Sequence, residues 1–239
     1  MPAPSPSPQL PLALRYPPDQ RLETFAGNRA LVAQLQDFAA GAGDARMLLL
    51  VGPPGSGKTH LALAACAEAE AAGRRAAYLP LATARGRLGT ALEAMHAFDL
   101  VALDGLDAIA GGPDDELALF DFHNRIHDAG RQLLYTACAA PAALGLQLPD
   151  LRSRLGQCTR LAPERLDDAG RAEMLRLRAQ RRGLQIDDAA IDWLLRHAGR
   201  DLSGLTALLD RLDRASLAAQ RRITLPFLRE VVQGMVGEG

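Results

Sequence analysis

The sequence predicts an α/β domain built on a parallel β-sheet, followed by a smaller domain made only of helices. Short apolar runs alternate with helical segments from residue 31 to residue 161, a pattern typical of a parallel sheet covered on both faces. After Pro163 the strand signals stop and helical segments follow. With 239 residues and 48% hydrophobic composition, the chain can build one sizeable core and a small satellite.

Each predicted strand is a short apolar run bounded by helix or turn signals. Met47–Val51 is a continuous apolar run that ends in glycine, as buried parallel strands often do. Further strands are predicted at 76–81, 100–103, 133–136 and 158–161, and helices at 31–40, 60–71, 88–96, 116–128, 168–182, 188–198, 202–220 and 225–236. We therefore divide the chain into a flexible Pro/Ser-rich tail (1–20), an α/β domain (21–163) and a helical domain (164–239).

Composition and charge exclude several classes of protein. With 27 basic and 28 acidic residues, the chain lacks the basic excess of a dedicated duplex-DNA binder, so we expect no strong direct DNA binding. No apolar run reaches the roughly 18 residues of a membrane span, and the first residues do not resemble a signal peptide. Three widely spaced cysteines predict free thiols, and hence a cytoplasmic protein.

The strongest motif follows the first predicted strand. Residues 52–59 read Gly-Pro-Pro-Gly-Ser-Gly-Lys-Thr, which fits the P-loop pattern in full. Lys58, the single lysine of the chain, would meet the phosphates of ATP or ADP, and the helix that begins there would present its N-terminus to them. The alternative is an ordinary Gly/Pro turn. The residues assigned to nucleotide binding here are Gly52, Pro53, Gly55, Ser56, Gly57, Lys58, Thr59 and His60.

Two further residues are expected at the same edge of the sheet. Asp104 follows the third strand and, with the Thr59 hydroxyl, could hold Mg²⁺ through water. Thr136 ends the fourth strand and could bond near the γ-phosphate. The alternatives are a turn aspartate and a core threonine. Gly105 stands where many ATPases of this architecture place a water-orienting glutamate, and Asp107 is not expected to replace it, so we predict slow intrinsic hydrolysis.

Two segments outside the P-loop are candidate interaction sites. Arg152 and Arg154 lie just past the sheet, where an arginine can reach a nucleotide held by a neighbouring subunit; the alternative is a solvated arginine. Near the N-terminus, residues 9–14 alternate apolar residues in a pattern that suits docking into an apolar groove. The alternative is a disordered leader with incidental leucines. The docking residues would be Gln9, Leu10, Leu12 and Leu14.

These motifs together resemble the AAA+ ATPases of the DnaA type. The P-loop, Asp104, Thr136 and the Ser-Arg-Leu segment at 153–155, followed by a helical lid, carry that resemblance. The chain is more closely similar to the Hda family of DnaA regulatory inactivators over essentially its whole length. The segments that carry this closer resemblance are 9–14, 101–111, 148–155 and 212–227.

The resemblance implies a negative regulator of replication initiation. Arg154 would act in trans as a finger that promotes hydrolysis of ATP bound to DnaA, and the tail would dock on the DNA polymerase sliding clamp, its beta subunit. The resemblance also implies bound ADP and allows for a homo-oligomer. Ser203 stands where DnaA-type proteins place a nucleotide-sensing arginine, and Arg200 lies one helical turn away, so sensing by the lid is in doubt.

Two other functions stay open at this point. A helicase-loading or DNA-remodelling ATPase of the same superfamily would need a competent hydrolytic site, which Gly105 disfavours. A stand-alone nucleotide-hydrolysing or kinase-like enzyme is the third hypothesis.

Overall fold

A five-stranded parallel sheet forms the centre of the protein, as predicted. The computed structural model describes residues 21–25, 28–163, 167–181, 183–197, 208, 211–213, 215–216 and 223–236. Every strand pair in the sheet is parallel, and the strand order is β2-β3-β4-β1-β5. The strands are β1 (Met47–Val51), β2 (Ala76–Pro80), β3 (Leu100–Asp104), β4 (Gln132–Ala137) and β5 (Thr159–Leu161).

The strand ends differ from the predicted ones by at most one residue, and one of these shifts matters for the site. Asp104 belongs to β3, where it pairs with Pro80 at the last position of β2. Leu81 begins a helix instead of ending β2. Proline donates no backbone N–H, and it is tolerated here because β2 is an edge strand.

The helices of the α/β domain begin and end at local signals. Asn28 caps the first helix, since its Oδ1 accepts from the Ala30 N–H at 2.9 Å, and Gly41 ends that helix with a φ of 75°. The helix predicted from residue 116 begins earlier, at Pro113, because proline suits the first helical position and acidic residues suit the first turn. The helices are α1 (Arg29–Ala40), α2 (Lys58–Ala71), α3 (Leu81–Ala84), α4 (Leu88–Glu93), α5 (Pro113–Asp128) and α6 (Pro149–Gln157).

The two faces of the sheet are covered by different helices. Residues alternate along each central strand, so that Leu49, Val101 and Leu133 pack with α3 to α6 on one face. Their neighbours Leu48 and Leu134 pack with α1 and α2 on the other face. The P-loop helix α2 and the helix that carries Arg154, α6, therefore lie on opposite faces of the sheet.

The helical lid that follows has its own apolar core. It contains α7 (Asp168–Arg181), α8 (Asp188–His197) and α9 (Leu225–Val236), and a parallel bridge joins Ile186 to Ile223. The helix predicted at 202–220 lies mostly outside the described residues. Helix α7 also packs against the 3₁₀ turn Leu22–Thr24, which precedes α1. The buried residues of this apolar core, among those the structure describes, are Ala172, Met174, Leu175, Ala190, Ile191, Leu194, Leu212, Ile223 and Leu228.

Two features are missing from the described residues. None of the helices within them is long and apolar enough to cross a bilayer. The same ranges contain no group of three His, Cys, Asp or Glu side chains placed to hold a metal ion. Cys66, Cys138 and Cys158 are free cysteines.

Candidate nucleotide-binding site

The P-loop connects the end of β1 to the start of α2, in the strand–loop–helix order that the motif requires. Gly55 and Gly57 have φ values of 75° and 90°, which L residues rarely adopt. A Cβ at Gly57 would also lie 2.7 Å from a ring carbon of Phe25. No side chain caps the first turn of α2, so its leading N–H groups are available to an anion.

Lys58 lies inside this loop. It is only 8% exposed, and its Nζ donates to the Gly52 carbonyl at 2.6 Å and the Pro53 carbonyl at 2.9 Å. An ammonium group has three protons. The loop therefore fixes the position of the charge while one proton stays available to a phosphate oxygen.

Asp104 collects hydroxyl groups at the carboxyl edge of the sheet. Its Oδ2 accepts from Thr59 Oγ1 at 2.9 Å and from the Tyr78 hydroxyl at 2.7 Å. Its Oδ1 accepts from Thr136 Oγ1 at 2.5 Å. The register explains this meeting, because Leu103 of β3 pairs with the residue before Thr136. Strands β2, β3 and β4 and helix α2 thus each contribute a side chain to one cluster.

Thr136 is oriented toward Asp104 in this cluster. Its side chain is buried, and besides donating to Asp104 its Oγ1 accepts from the Gly105 N–H at 2.8 Å. Those two bonds hold the carboxylate and the following turn in place. A bond from Thr136 to a γ-phosphate stays a prediction.

The turn after β3 offers no free carboxylate at either expected position. Gly105 has a φ of 86° and carries no side chain. Asp107 lies in the 3₁₀ turn Leu106–Ala108, and its two oxygens accept from the Cys138 N–H at 3.2 and 2.9 Å. Asp107 therefore caps the end of β4.

Burial and charge keep two groups near the site protonated. Burial, followed by the charge of Asp104, raises the pKa of the Tyr78 phenol, so Tyr78 remains a neutral donor. Partial burial also raises the pKa of the Cys138 thiol, with the Lys58 ammonium opposing and the Asp107 carboxylate adding to the effect. The thiol is thus not activated, even though Lys58 acts on it.

His60 contacts the segment that precedes α1. Its Nε2 lies 3.1 Å from the Arg21 carbonyl oxygen, and its ring centroid is 5.9 Å from that of Phe25. Ser56 is 2% exposed, and its Oγ has no hydrogen-bond partner within the described part of the chain. Direct contact of either side chain with a nucleotide stays a prediction.

Arg154 lies on the outer side of α6. Leu151 and Leu155 are buried, whereas Arg152 and Arg154 are exposed. The charge of Arg154 acts on one buried group, because burial and then Arg154 lower the pKa of His123 to about 4. The clamp-docking residues predicted at 9–14, and the lid positions Ser203 and Arg200, lie outside the described residues.

Three contacts described here were missed at the level of sequence. Tyr78 and the pairing of Asp107 with Cys138 depend on strand order, which the motif does not specify. Glu116 is buried without exposed surface and bonds to residues on both sides of it in sequence. Its only sequence signal is an acidic residue in the first turn or two of a helix.

Two family models match the chain. Residues 168–232 match the model described as "Hda, lid domain", which covers helices α7 to α9 up to residue 232. Residues 24–110 match the model described as "IstB-like ATP binding protein", which covers the P-loop and Asp104.

Solved structures share the fold over most of the chain. Domain III of the replication initiation protein DnaA from Thermotoga maritima has a TM-score of 0.77 at 18% identity, covering 92% of this chain and 98% of that one. DnaA from Aquifex aeolicus bound to AMPPCP has a TM-score of 0.66 at 22% identity, covering 82% of this chain and 65% of that one. The Holliday junction branch migration motor RuvB from Thermotoga maritima has a TM-score of 0.63 at 20% identity, covering 91% and 72%.

At these identities the structural likeness establishes the fold, and the chain spans about two thirds of the AMPPCP-bound DnaA, 65% of its length. Two sequence matches stand beside this fold, one in the α/β domain and one in the lid. Together these findings support a DnaA/Hda-type AAA+ protein, with the fold of DnaA domain III and a lid similar to the Hda lid family.

Proposed function

We propose that the chain is a negative regulator of replication initiation. In this proposal it promotes hydrolysis of ATP bound to DnaA while docked on a DNA-loaded sliding clamp. The observation that carries the proposal is the exposed Arg154 on α6, which lies across the sheet from the chain's own P-loop helix. The match of the lid to the Hda lid family supports the choice of DnaA as the partner.

The chain's own site is proposed to bind ADP or ATP. Lys58 and the first turn of α2 would hold the phosphates. Thr59 Oγ1 and Asp104 Oδ2 lie 2.9 Å apart. Both are oxygen atoms, which Mg²⁺ prefers as ligands or as partners of its retained waters. When bound, Mg²⁺ would neutralise part of the phosphate charge.

We propose that this bound nucleotide turns over slowly. Gly105 has no side chain to orient a water, and the Asp107 carboxylate is bonded to the Cys138 N–H. Purified protein should hydrolyse ATP well below the roughly 1–10³ s⁻¹ of typical enzymes. The nucleotide would then serve to keep the protein in a folded, partner-competent form.

Arg154 would supply its guanidinium to a nucleotide held by another molecule. A guanidinium is a planar, permanently charged fork that can bridge two oxygens of a phosphoryl group. Because charge on those oxygens is stabilised in the transition state, such a finger accelerates hydrolysis without accepting a proton.

The N-terminal segment is proposed to provide the clamp contact, through Gln9, Leu10, Leu12 and Leu14. The division into a tail at 1–20, an AAA+ core at 21–163 and a lid at 164–239 belongs to the same proposal. So does self-association as a homo-oligomer.

The test is hydrolysis of ATP bound to DnaA, measured with clamp loaded on DNA. The wild-type chain should stimulate hydrolysis, and Arg154→Ala should abolish the stimulation while keeping ADP affinity and clamp binding. Arg152→Ala is the matched control, because Arg152 is exposed on the same helix. Deletion of residues 1–14 should abolish clamp binding with little change in Tm. If the Arg152 variant lost the stimulation and the Arg154 variant kept it, the assignment of the finger to Arg154 would be wrong.

A helicase-loading or DNA-remodelling ATPase is the second candidate, because residues 24–110 match an ATP-binding model and the branch migration motor RuvB shares the fold. That function predicts that single-stranded DNA accelerates the chain's own ATP hydrolysis. Such acceleration, without any effect on DnaA, would favour the second candidate over the first.

A further inference from the structure

The carboxylate with the least exposed surface among the described residues lies at the start of α5. Glu116 has no exposed surface, and its two oxygens accept bonds from three backbone N–H groups. Oε1 accepts from Gly111 at 2.7 Å. Oε2 accepts from Gln147 at 2.8 Å and from Leu148 at 2.7 Å.

This arrangement holds two helices at their N-terminal ends. Burial of a carboxylate is costly unless donors satisfy it, and charge-assisted bonds from backbone N–H groups do so here. Glu116 is the fourth residue of α5, near the positive end of that helix dipole. Gln147 and Leu148 directly precede α6. The side chain therefore ties the beginning of α5 to the entry of α6.

The entry of α6 depends on these bonds because its N-cap residue, Leu148, provides no side-chain cap. The buried Leu151 and Leu155 determine which side of α6 faces outward. Arg154 lies on that outward side, six residues after Leu148, or about 9 Å along the helix axis. A tilt of α6 at Leu148 would therefore displace the Arg154 guanidinium.

We infer that Glu116 is a positioning residue for Arg154, an inference that rests on the proposed function. Glu116 touches neither nucleotide; it acts by holding α6 at the angle that presents Arg154 to the phosphoryl group on the partner. Misplacement of a reacting or stabilising group by about 1 Å can cost about 100-fold in rate. Loss of Glu116 should therefore lower the maximal stimulated rate and leave partner affinity unchanged.

Asp115 provides a matched control in the same turn of α5. It is also buried, at 5% exposure, and it also accepts backbone bonds, from Gly86 at 2.7 Å and from Leu88 at 3.1 Å. Those partners lie at the start of α4. Replacement of Asp115 thus removes similar bonds from a similar place without releasing α6.

The experiment compares Glu116→Ala and Glu116→Gln with Asp115→Ala, Arg154→Ala and the double variant Glu116→Ala/Arg154→Ala in full-length protein. We expect Glu116→Ala to lower the maximal rate of hydrolysis on DnaA about tenfold or more. The chain concentration for half-maximal stimulation and the chain's own ADP affinity should stay within about twofold. Glu116→Gln keeps one acceptor oxygen and should fall between wild type and alanine. Asp115→Ala should keep nearly full stimulation.

Two further readouts separate positioning from a general structural role. If Glu116 acts only through Arg154, the double variant should bind DnaA as tightly as Arg154→Ala alone. Amide hydrogen exchange at residues 147–157 should rise in the Glu116 variants and stay low in Asp115→Ala, where the rise should fall at residues 86–94 instead. If Glu116→Ala fails to fold, both measurements are made with Glu116→Gln instead.

The outcomes are distinguishable. The inference would be overturned if folded Glu116 variants kept full stimulation, or if amide hydrogen exchange in α6 were unchanged in them. The role of Arg154 would stand in either case. Weaker binding of DnaA by the double variant than by Arg154→Ala would also overturn the inference. A wild-type chain that never stimulates DnaA, or an Arg154→Ala variant that still does, would overturn the proposed function itself.

Discussion

The nucleotide edge of the sheet and the α6 face are stabilised by different kinds of contact. At the nucleotide edge, Asp104 is held by side-chain hydroxyls, and Lys58 is held by carbonyls of its own loop. At α6, the helix that carries Arg154 is held by backbone N–H bonds to a distant carboxylate, Glu116. Local geometry sets the position of Lys58 in the P-loop, whereas Asp104 and Arg154 are both positioned by contacts between residues far apart in sequence.

The largest effect that this comparison predicts is at Arg154. Arg154→Lys should lose about 10³-fold in stimulated hydrolysis where chemistry limits the rate, because an ammonium cannot reproduce the guanidinium fork. Hydrolysis of ATP on DnaA with loaded clamp measures it. Recovery of most of the stimulation by lysine would mean that charge alone acts at this position.

The next effect concerns acid stability on the α6 face. Burial and Arg154 lower the pKa of His123 to about 4, so between pH 6.5 and pH 4 the unfolded state binds more protons than the folded state. The contribution of neutral His123 to the free energy of unfolding is therefore fully present above pH 6.5 and is lost as pH falls toward 4. Between pH 7 and 4.5 the loss should be smaller in His123→Asn than in wild type by about 2 kcal/mol.

Urea unfolding at both pH values measures this difference, and proton NMR of His123 gives the pKa directly. Arg154→Ala should raise that pKa, since the arginine charge is the second cause of the depression. An unchanged pKa in Arg154→Ala would mean that the guanidinium charge does not act on His123.

On the nucleotide edge, Lys58→Ala should weaken ADP binding at least tenfold, or about 1.4 kcal/mol. The reason is the loss of the one compact cation that the loop places among the phosphates. Calorimetry measures the affinity. At saturating ADP, Lys58→Ala should still stimulate hydrolysis on DnaA, whereas Arg154→Ala should not. Unchanged affinity would remove Lys58 from the site.

The smallest effect is expected from Tyr78→Phe. Removal of the hydroxyl leaves Asp104 Oδ2 with one donor fewer, so the carboxylate should bind the shell of Mg²⁺ more strongly. The Mg²⁺ concentration that half-saturates ADP binding should fall about fivefold, as expected for one hydrogen bond of about 1 kcal/mol.

Tyr135→Phe is the control for that variant, because the Tyr135 hydroxyl bonds to His123 at 2.9 Å on the opposite face. Equal changes in both variants would indicate a general loosening of the sheet and not an effect on Asp104.

The sequence predicted the parts of this molecule that depend on local signals. The P-loop, the parallel sheet and the lid after the core follow from contiguous patterns, and the strand ends are correct to within one residue or so. Contacts across strands were not predictable, because the pattern leaves the order β2-β3-β4-β1-β5 undetermined. Tyr78 beside Asp104 is therefore a finding of the structure alone.

Glu116 was missed for a related reason. A glutamate early in a helix is common, and its usual explanation is a favourable interaction with the helix dipole. Only the packing of α5 against α6 shows that two of its hydrogen-bond donors lie 31 and 32 positions away. The tail at 9–14 and the division of the chain at residue 163 stay predictions.

The anchoring of Leu22 limits how far the body of the protein can lie from its docking site. Leu22 is 1% exposed and packs with α1 and α2, so it moves with the core. Leu14 lies eight positions before it, and even a fully extended chain of eight residues spans at most about 28 Å. A tail docked through residues 9–14 would therefore be a short tether that keeps the core within that distance of the clamp. The reach of Arg154 to DnaA would then be limited to molecules bound close to the clamp on the same DNA.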